Sequence, residues 1–596
     1  MFQTFDATTT PEQGPPRLNR LREECARHDV AGFVIPRADA HQGEYVAARD
    51  ERLAWLTGFS GSAGFAVVLA DEAAVFVDGR YTVQVKAQVD TSAFTPVAFP
   101  QNRLAPWLAE RLPEGNVIGL DPWLHTRREV DALEKAGVAT RTVPNLIDAI
   151  WDDQPAPPLG AARAHPPEFT GKSSAEKRGE IAQTLIAAGQ SAAVLTLPDS
   201  ISWLLNIRGE DLPRIPCVQA FAILHSSGKL TLFAAPEKFN GLDAHLGPDV
   251  TLRPPEAFEP ALKTLTGPVR VDQGTAPHAV ALALEAEGIE IAWGDDPCIL
   301  PKATKTDAEL QGTREAHLRD GAAMVEFLAW LDREAPNGTL TEIAVVQQLE
   351  AFRRKTNALN DISFDTICGA GPHGAIVHYR VTEGTNRAIA PGELLLIDSG
   401  GQYLDGTTDI TRTVIVGAPT EEHRVCFTRV LQGMIAISRA RWPRGLSGRD
   451  LDPLARAPLW MAGQDYDHGT GHGVGAYLSV HEGPQRIARI SEVPLVPGMI
   501  LSNEPGYYRE GAFGIRIENL VVVEPAPALP GGDDRDQLAF ETLTYVPIDI
   551  RLVDAARLSP GEREWLNAYH AETLEKIGPR VSAEAQSWLA AATRAI

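Results

Sequence analysis

At 596 residues the chain is far longer than one hydrophobic core usually organises, so roughly two to four domains are expected. With 44% hydrophobic, 22% charged and 7% aromatic residues, its composition is that of a globular protein and excludes disorder for the bulk. The formal charge of −23 argues against nucleic acid and anionic membrane as partners, since both reward Lys and Arg patches.

Met1 to Pro15 is polar and lacks the basic start and apolar stretch of an export signal. Apolar runs such as Leu394 to Ile397 are too short to span a bilayer. The five cysteines (Cys25, Cys217, Cys298, Cys368 and Cys426) are scattered and show no paired-ligand spacing. That usage fits a reducing, cytoplasmic setting better than a disulfide or thiolate-zinc framework.

In chain order, residues 16–158 read as a first α/β module, with strand runs at Phe65–Leu69 and Ala73–Val77. Five prolines between Pro155 and Pro167 mark a break. Residues 159–305 repeat the α/β pattern, with strands expected at Ala192–Leu197 and Ala220–Leu224. At Thr306-Asp307-Ala308-Glu309 a capping box opens a helix whose apolar positions recur every three or four residues. From there to about 548 helices give way to paired strands and Gly-rich turns, an α+β pattern. A last capping signal, Ser559-Pro560-Gly561-Glu562, places a helix in a terminal extension, 549–596.

The chemistry concentrates in the third segment. A strand over Leu394–Ile397 runs into Asp398, turns at Gly400-Gly401 and again near Asp405-Gly406, and returns through Asp409. Two apolar strands thus carry carboxylates side by side, with Asp405 left for the turn. The arrangement recurs between Met499 and Val523. A strand ends at Glu504, a Gly-rich excursion follows, and a return strand carries Glu518, with Arg516 on the same face by alternation. An Arg516–Glu518 surface ladder would explain those two residues, but the apolar run Leu520–Val523 implies burial. Buried carboxylates need a cation, a donor or a metal.

Between the pairs lies His468-Gly469-Thr470-Gly471-His472-Gly473-Val474-Gly475. Four alternating glycines oppose a helix and allow close backbone approach instead. Gly471-x-Gly473-x-x-Ala476 formally matches a dinucleotide fingerprint, but 451–467 does not read as the strand that motif requires. Four carboxylates with imidazole form a hard ligand set suited to Mn²⁺, or to Co²⁺, Zn²⁺ and Fe²⁺, and carry enough charge for two divalent metal ions.

These residues, in the order Asp398, Asp409, His472, Glu504, Glu518, resemble the metal-binding pattern of the pita-bread metallopeptidases. The likeness is to the long, three-domain, cytosolic type of Xaa-Pro aminopeptidase (aminopeptidase P). It extends over DAHQGEY at 39–45, GFSGSAG at 58–64, DGRY at 78–81, PDSISWLLNIRG at 198–209, AIVHYR at 375–380, HEGP at 481–484, NEPGYY at 503–508 and GIRIEN at 514–519. TLTYVPID and WLNAYH continue it toward the end of the chain.

The resemblance implies two creatinase/prolidase-type N-terminal α/β domains (16–158 and 159–305), a pita-bread catalytic domain (306–548) and a C-terminal helical extension. It implies that Asp398 serves one metal, that His472 and Glu504 serve the other, and that Asp409 and Glu518 bridge them. Glu504 would be the general base toward a hydroxide activated by both metals. His378 and His481 would hydrogen-bond the substrate and pass a proton to the proline nitrogen, His468 would shape the proline pocket, and Arg80 would touch substrate. The implied partners are peptides with proline at the second position, and the implied assembly is a homodimer.

A dedicated enzyme has a physical reason: the Xaa-Pro bond is a tertiary amide without the N–H that general peptidases hold. Prolidase, which splits Xaa-Pro dipeptides, is the nearest rival, and a non-catalytic peptidase-like binding scaffold is a rival of another class. The length and C-terminal extension favour the aminopeptidase over the first. The complete ligand set speaks against the second.

Overall fold

The computed structural model describes residues 1–596, which divide into two compact units, Thr8–Ile299 and Met1–Ala7 with Leu300–Ile596. No helix is long and apolar enough to cross a membrane.

The Thr8–Ile299 unit contains two six-stranded mixed sheets of the same topology. In the first, the spatial order is Thr95–Ala98, Ala73–Val77, Phe65–Leu69, Gly32–Pro36, Val117–Leu120, Ala139–Thr142. In the second it is Val250–Arg253, Leu230–Phe233, Phe221–His225, Ala192–Leu195, Val269–Val271, Ile291–Trp293. The sense of each pairing also matches, with parallel outer strands and two antiparallel joints inside. The expected strands are present, the second pair shifted slightly to Ala192–Leu195 and Phe221–His225. They form because Val, Ile, Phe and Leu runs bury their side chains against helices on the sheet faces.

The Leu300–Ile596 unit repeats one theme twice: two helices, then strands that end in acidic residues. The first helix pair is Asp307–Glu334 and Glu342–Arg354, and the second is Glu421–Ser438 and Gly448–Trp460. Thr306 caps the first helix as expected, its hydroxyl accepting from Glu309 N–H at 3.2 Å while the Glu309 carboxylate accepts from Thr306 N–H at 2.8 Å. Such a cap stabilises a helix by about 1 kcal/mol. The long helix is also pinned through Asp320, whose buried carboxylate accepts from Arg353 at 2.8 and 3.0 Å and from Tyr403 OH at 2.6 Å.

The first helix pair is followed by an antiparallel three-stranded sheet in the order Ile367–Ala370, Leu394–Ser399, Ile410–Ile415. The second pair, with one strand between its helices and the rest after them, leads into a six-stranded sheet in the order Arg441–Pro443, Gln537–Thr542, Asn519–Pro525, Ile500–Asn503, Gly471–Gly473, Glu482–Ile487. Leu395, Ile397, Leu501 and Val521 are fully buried, and each such side chain contributes about 1.5–3 kcal/mol. The apolar faces thereby hold the polar strand ends in place.

Two expectations are refined. Met1–Ala7, which the expected domains left out, belongs with this unit: Thr366 N–H donates to Gln3 Oε1 at 2.8 Å, and Gln3 Nε2 returns a bond to Thr366 O at 3.3 Å. The terminal extension folds as helices Pro560–Ile577 and Ala583–Ala592, the first capped by Ser559 and Glu562.

Candidate metal centre

Leu394–Ser399 is buried along its whole length and carries Asp398 near its end. Antiparallel pairing sets Asp398 opposite Ile367 on one side and Thr411 on the other. The Gly400 turn is forced tight: a Cβ there would lie 1.9 Å from Thr408 O. Asp405 takes the turn role expected of it, its carboxylate gripped by Arg319 at 2.8 and 2.9 Å. Asp409 sits immediately before the strand Ile410–Ile415 rather than on it.

The second pair shows the same small offset. Glu504 follows the strand Ile500–Asn503, and Glu518 lies in the break between Phe513–Arg516 and Asn519–Pro525. Breaks free these residues from the ladder so their carboxylates can turn inward. The two sheets are stitched together where the pairs meet. Glu518 N–H donates to Thr411 O at 3.1 Å, Thr411 Oγ1 donates to Glu518 Oε2 at 2.7 Å, and Arg516 N–H donates to Thr413 Oγ1 at 3.1 Å.

His472 enters on the short strand Gly471–Gly473, and the glycines that oppose a helix there are part of an extended segment. A Cβ on Gly471 would meet Ser502 O at 1.9 Å, so glycine alone lets this strand lie against Ile500–Asn503. A bulge between His472 and Gly473 turns the imidazole inward. Its Nδ1–H donates to Gly473 O at 3.0 Å, leaving Nε2 to face Asp409 Oδ2 at 3.5 Å and Glu504 Oε1 at 3.3 Å. Ligand atoms of Asp409, His472 and Glu518 lie within 4.8 Å of one another. Ser502 Oγ holds Glu504 Oε1 at 3.0 Å.

The residue missed in the sequence is Arg516. It is 1% exposed and forms no surface ladder; its Nη2 donates to Asp398 Oδ2 at 2.6 Å. Its Nη1 donates to Tyr508 OH at 2.7 Å, and Tyr508 reaches His468 Nε2 at 2.8 Å. Because His468 Nδ1–H donates to Gly469 O at 2.7 Å, its Nε2 accepts from Tyr508. The implied burial of Glu518 was the available signal, since an arginine beside it on a buried strand needs a carboxylate partner.

The electrostatics follow from burying four carboxylates against too little positive charge. Burial, opposed by Arg516 and reinforced by Asp409 and Glu504, pushes Asp398 up to about 7. Burial also raises Glu504, and with the neighbouring carboxylates it raises Glu518 well above the usual range. Burial disfavours the His472 cation, but Asp409 and Glu504 outweigh it and hold His472 at about 9. Asp398 Oδ1, Asp409 Oδ1 and Glu518 Oε1 are buried and meet no donor from the protein. Orphaned oxygens facing a shared imidazole fit divalent cations: the ligand types are hard, the charge is in excess, and the outer oxygens are already held by Arg516 and Thr411.

His481 is beside this cluster, its ring centroid 4.4 Å from that of His472 in an edge-on arrangement. His378 occupies the turn after Gly371–Ala375. That segment packs backbone to backbone on the Arg516 strand, where a Cβ on Gly514 would fall 1.7 Å from Gly374 O. The buried Glu342 carboxylate fixes the same segment, accepting from Ala370 N–H at 2.9 Å, His373 Nδ1 at 2.9 Å and Tyr379 OH at 3.1 Å. Arg80 belongs to the Thr8–Ile299 unit, where Asp78 holds its guanidinium at 2.7 and 3.0 Å and Glu44 lies 3.8 Å away.

A fold of repeated helix pairs and strands that converge buried carboxylates and imidazole on one point defines a metallohydrolase. Comparison with known proteins gives the family. Residues 311–525 match the model of metallopeptidase family M24, 17–150 and 153–309 each match a creatinase/prolidase N-terminal domain, and 536–596 match the C-terminal region of peptidase M24.

A probable Xaa-Pro aminopeptidase P of Aspergillus flavus is 40% identical over 585 residues, covering 94% of this chain and 89% of the relative. One of Coccidioides posadasii is 39% identical over 595 residues, covering 96% and 91%. The crystal structure of the X-prolyl aminopeptidase of Caenorhabditis elegans, described as a cytosolic enzyme with a di-nuclear active site, superposes with a TM-score of 0.93 at 34% identity over 98% of this chain and 99% of that one. A Bacillus anthracis Xaa-Pro dipeptidase shares the fold at TM-score 0.51 and 24% identity, over 63% of this chain. The chain belongs to metallopeptidase family M24, and within it to the long Xaa-Pro aminopeptidase P type, with two creatinase-type N-terminal domains and a pita-bread catalytic domain.

Proposed function

We propose that this protein hydrolyses the N-terminal Xaa-Pro bond of peptides, using two divalent metal ions, Mn²⁺ foremost. The observation that carries the reading is the convergence of Asp398, Asp409, Glu504, Glu518 and His472, with three buried carboxylate oxygens turned toward no protein donor. Asp398 would hold one ion, His472 and Glu504 the other, and Asp409 and Glu518 both. Such ions supply Lewis acidity toward the attacking water and the scissile carbonyl.

The chain's own groups supply the rest. Glu504 accepts the proton of the attacking water, its carboxylate steadied by Ser502. His481, packed edge-on to His472, and His378 hydrogen-bond the substrate and the developing tetrahedral centre, and deliver a proton to the proline nitrogen. His468, set by Tyr508, shapes the proline pocket. None of these groups needs a scissile N–H, which the Xaa-Pro bond lacks.

Proline specificity at the second position is supported by the names of the relatives that match over nearly the whole chain. Selectivity for longer peptides over dipeptides is supported by the match to Xaa-Pro aminopeptidases over nearly the whole chain. The reading includes a homodimer, tested by light scattering. It also includes a cytoplasmic location, supported by the five buried free cysteines and the description of the Caenorhabditis elegans enzyme. Incubation of the Mn²⁺-loaded protein with Arg-Pro-Pro should release free arginine and Pro-Pro by mass spectrometry; an intact tripeptide would contradict the reading.

A further inference from the structure

Directly after His481 in the chain is Glu482, whose side chain has no exposure to solvent. It is met by two lysines from the start of the catalytic unit. Lys305 Nζ donates to its Oε1, and Lys302 Nζ lies 3.6 Å from its Oε2. The lysine side chains are only 1% and 3% exposed. Lys302 is on the short helix Ile299–Ala303, and Lys305 Nζ also donates to Lys302 O at 2.9 Å. This base is itself anchored, with Lys305 N–H donating to Gly498 O at 3.1 Å.

Stability does not explain a carboxyl group and two lysine amines buried together in a dry slot. Such clusters are frequently no better than apolar side chains of equal volume, and removing one member leaves a stranded charge. What the cluster can fix is register. The segment it terminates has glycine at 469, 471, 473 and 475, so every second position around His472 offers no side chain to packing, and the buried Val474, Leu478 and Val480 lie beyond it. Glu482 is the residue whose backbone pairs with Gly473 across the bulge that orients His472. Its carboxylate lies under Gly475, where an added Cβ would come within 3.1 Å of Oε2. A slip of one residue in the strand Glu482–Ile487 would exchange its faces and carry His481 away from His472.

We infer that Glu482, clamped by Lys302 and Lys305, is a positioning residue that holds the His481 imidazole against the metal-facing His472. The inference rests on the reading of His481 as a substrate-contacting group.

The test is a double-mutant cycle on the metal-loaded enzyme. Glu482→Gln should lower kcat for Arg-Pro-Pro by about 10²-fold, the scale of a misplaced catalytic group, with metal content unchanged and KM shifted by less than about threefold. Combined with His481→Ala, it should lower kcat no further than His481→Ala alone, because the group it positions is gone. Losses that multiply in the double variant, or wild-type kcat in Glu482→Gln, would overturn the inference while leaving His481's own role standing. Full activity in His481→Ala alone would instead remove that role, and the inference with it. Should Glu482→Gln fail to fold, Lys302→Met, which relieves only the longer contact, enters the same cycle with the same criteria.

Discussion

Arg516 Nη2 lies 2.6 Å from Asp398 Oδ2, and this contact fixes which carboxylate oxygen turns toward the cluster. The second oxygen, Oδ1, has no protein donor, while Arg516 is itself held by Tyr508 and Thr411. Arg516 thus acts as an outer support for a metal ligand. Arg516→Ala should weaken Mn²⁺ binding by roughly 10–100-fold, the usual effect of deleting such a support, with Arg516→Lys intermediate because it cannot reach two partners at once. Isothermal titration of the chelated protein measures this. Unchanged affinity would show that Asp398 is positioned by its strand alone.

Asp409→Asn and Glu518→Gln should abolish turnover and lower metal stoichiometry while leaving the far-ultraviolet circular dichroism intact. Mn²⁺ should raise the Tm of the wild type, by the linkage of binding to folding, and should raise it much less in either variant. Without metal, Glu518→Gln should be at least as stable as the wild type, since burial and the neighbouring carboxylates already disfavour a charge there. Full activity in either would sink the dinuclear assignment.

His481→Ala should reduce kcat by about 10²–10⁴-fold, as expected for a proton-transfer group, and leave the metal content unchanged. His472→Ala should lose metal as well. Elemental analysis of both variants separates the two roles, although the rings are only 4.4 Å apart. Metal loss in His481→Ala would make it a ligand instead.

Acid should destabilise the catalytic unit through His570. The ring is fully buried and its Nε2 accepts from Ile548 N–H at 3.1 Å. Burial, aided by the charge of Arg412, lowers its pKa from 6.5 to about 4. Above 6.5 the residue is neutral in both states and its contribution is complete. Between 6.5 and 4 the unfolded chain takes up a proton that the native state refuses, so stability falls by roughly 3 kcal/mol in total from this group. In chelated protein, urea unfolding across that range should show a shallower pH slope for His570→Gln than for the wild type. Equal slopes would contradict this.

The sequence made much of the centre legible because burial and charge conflict there. Apolar runs ending in Asp398 and Glu504 could not hide carboxylates without a cation, and alternating glycines around His472 opposed a helix and allowed close backbone approach. What it did not reveal depends on contacts between distant residues. Arg516 seemed a neighbour for Glu518, yet its partner is Asp398, 118 positions away. Asp409 and Glu518 were expected on strands but occupy breaks, since ladder geometry would have aimed them elsewhere. The common topology of the two N-terminal sheets leaves no visible repeat, because a strand order can be kept by any residues that satisfy the same burial pattern. Likewise, nothing in Met1–Ala7 signals that Gln3 would close on Thr366.

The central claim is metal-dependent removal of a residue preceding proline. Its most direct test is hydrolysis of Arg-Pro-Pro and of Ala-Pro, after chelation and again after addition of Mn²⁺. The account predicts loss of arginine release on chelation, recovery with Mn²⁺, and little cleavage of the dipeptide. Preferential cleavage of Ala-Pro would make the protein a dipeptidase, and no hydrolysis of either with any divalent metal would contradict a catalytic role altogether.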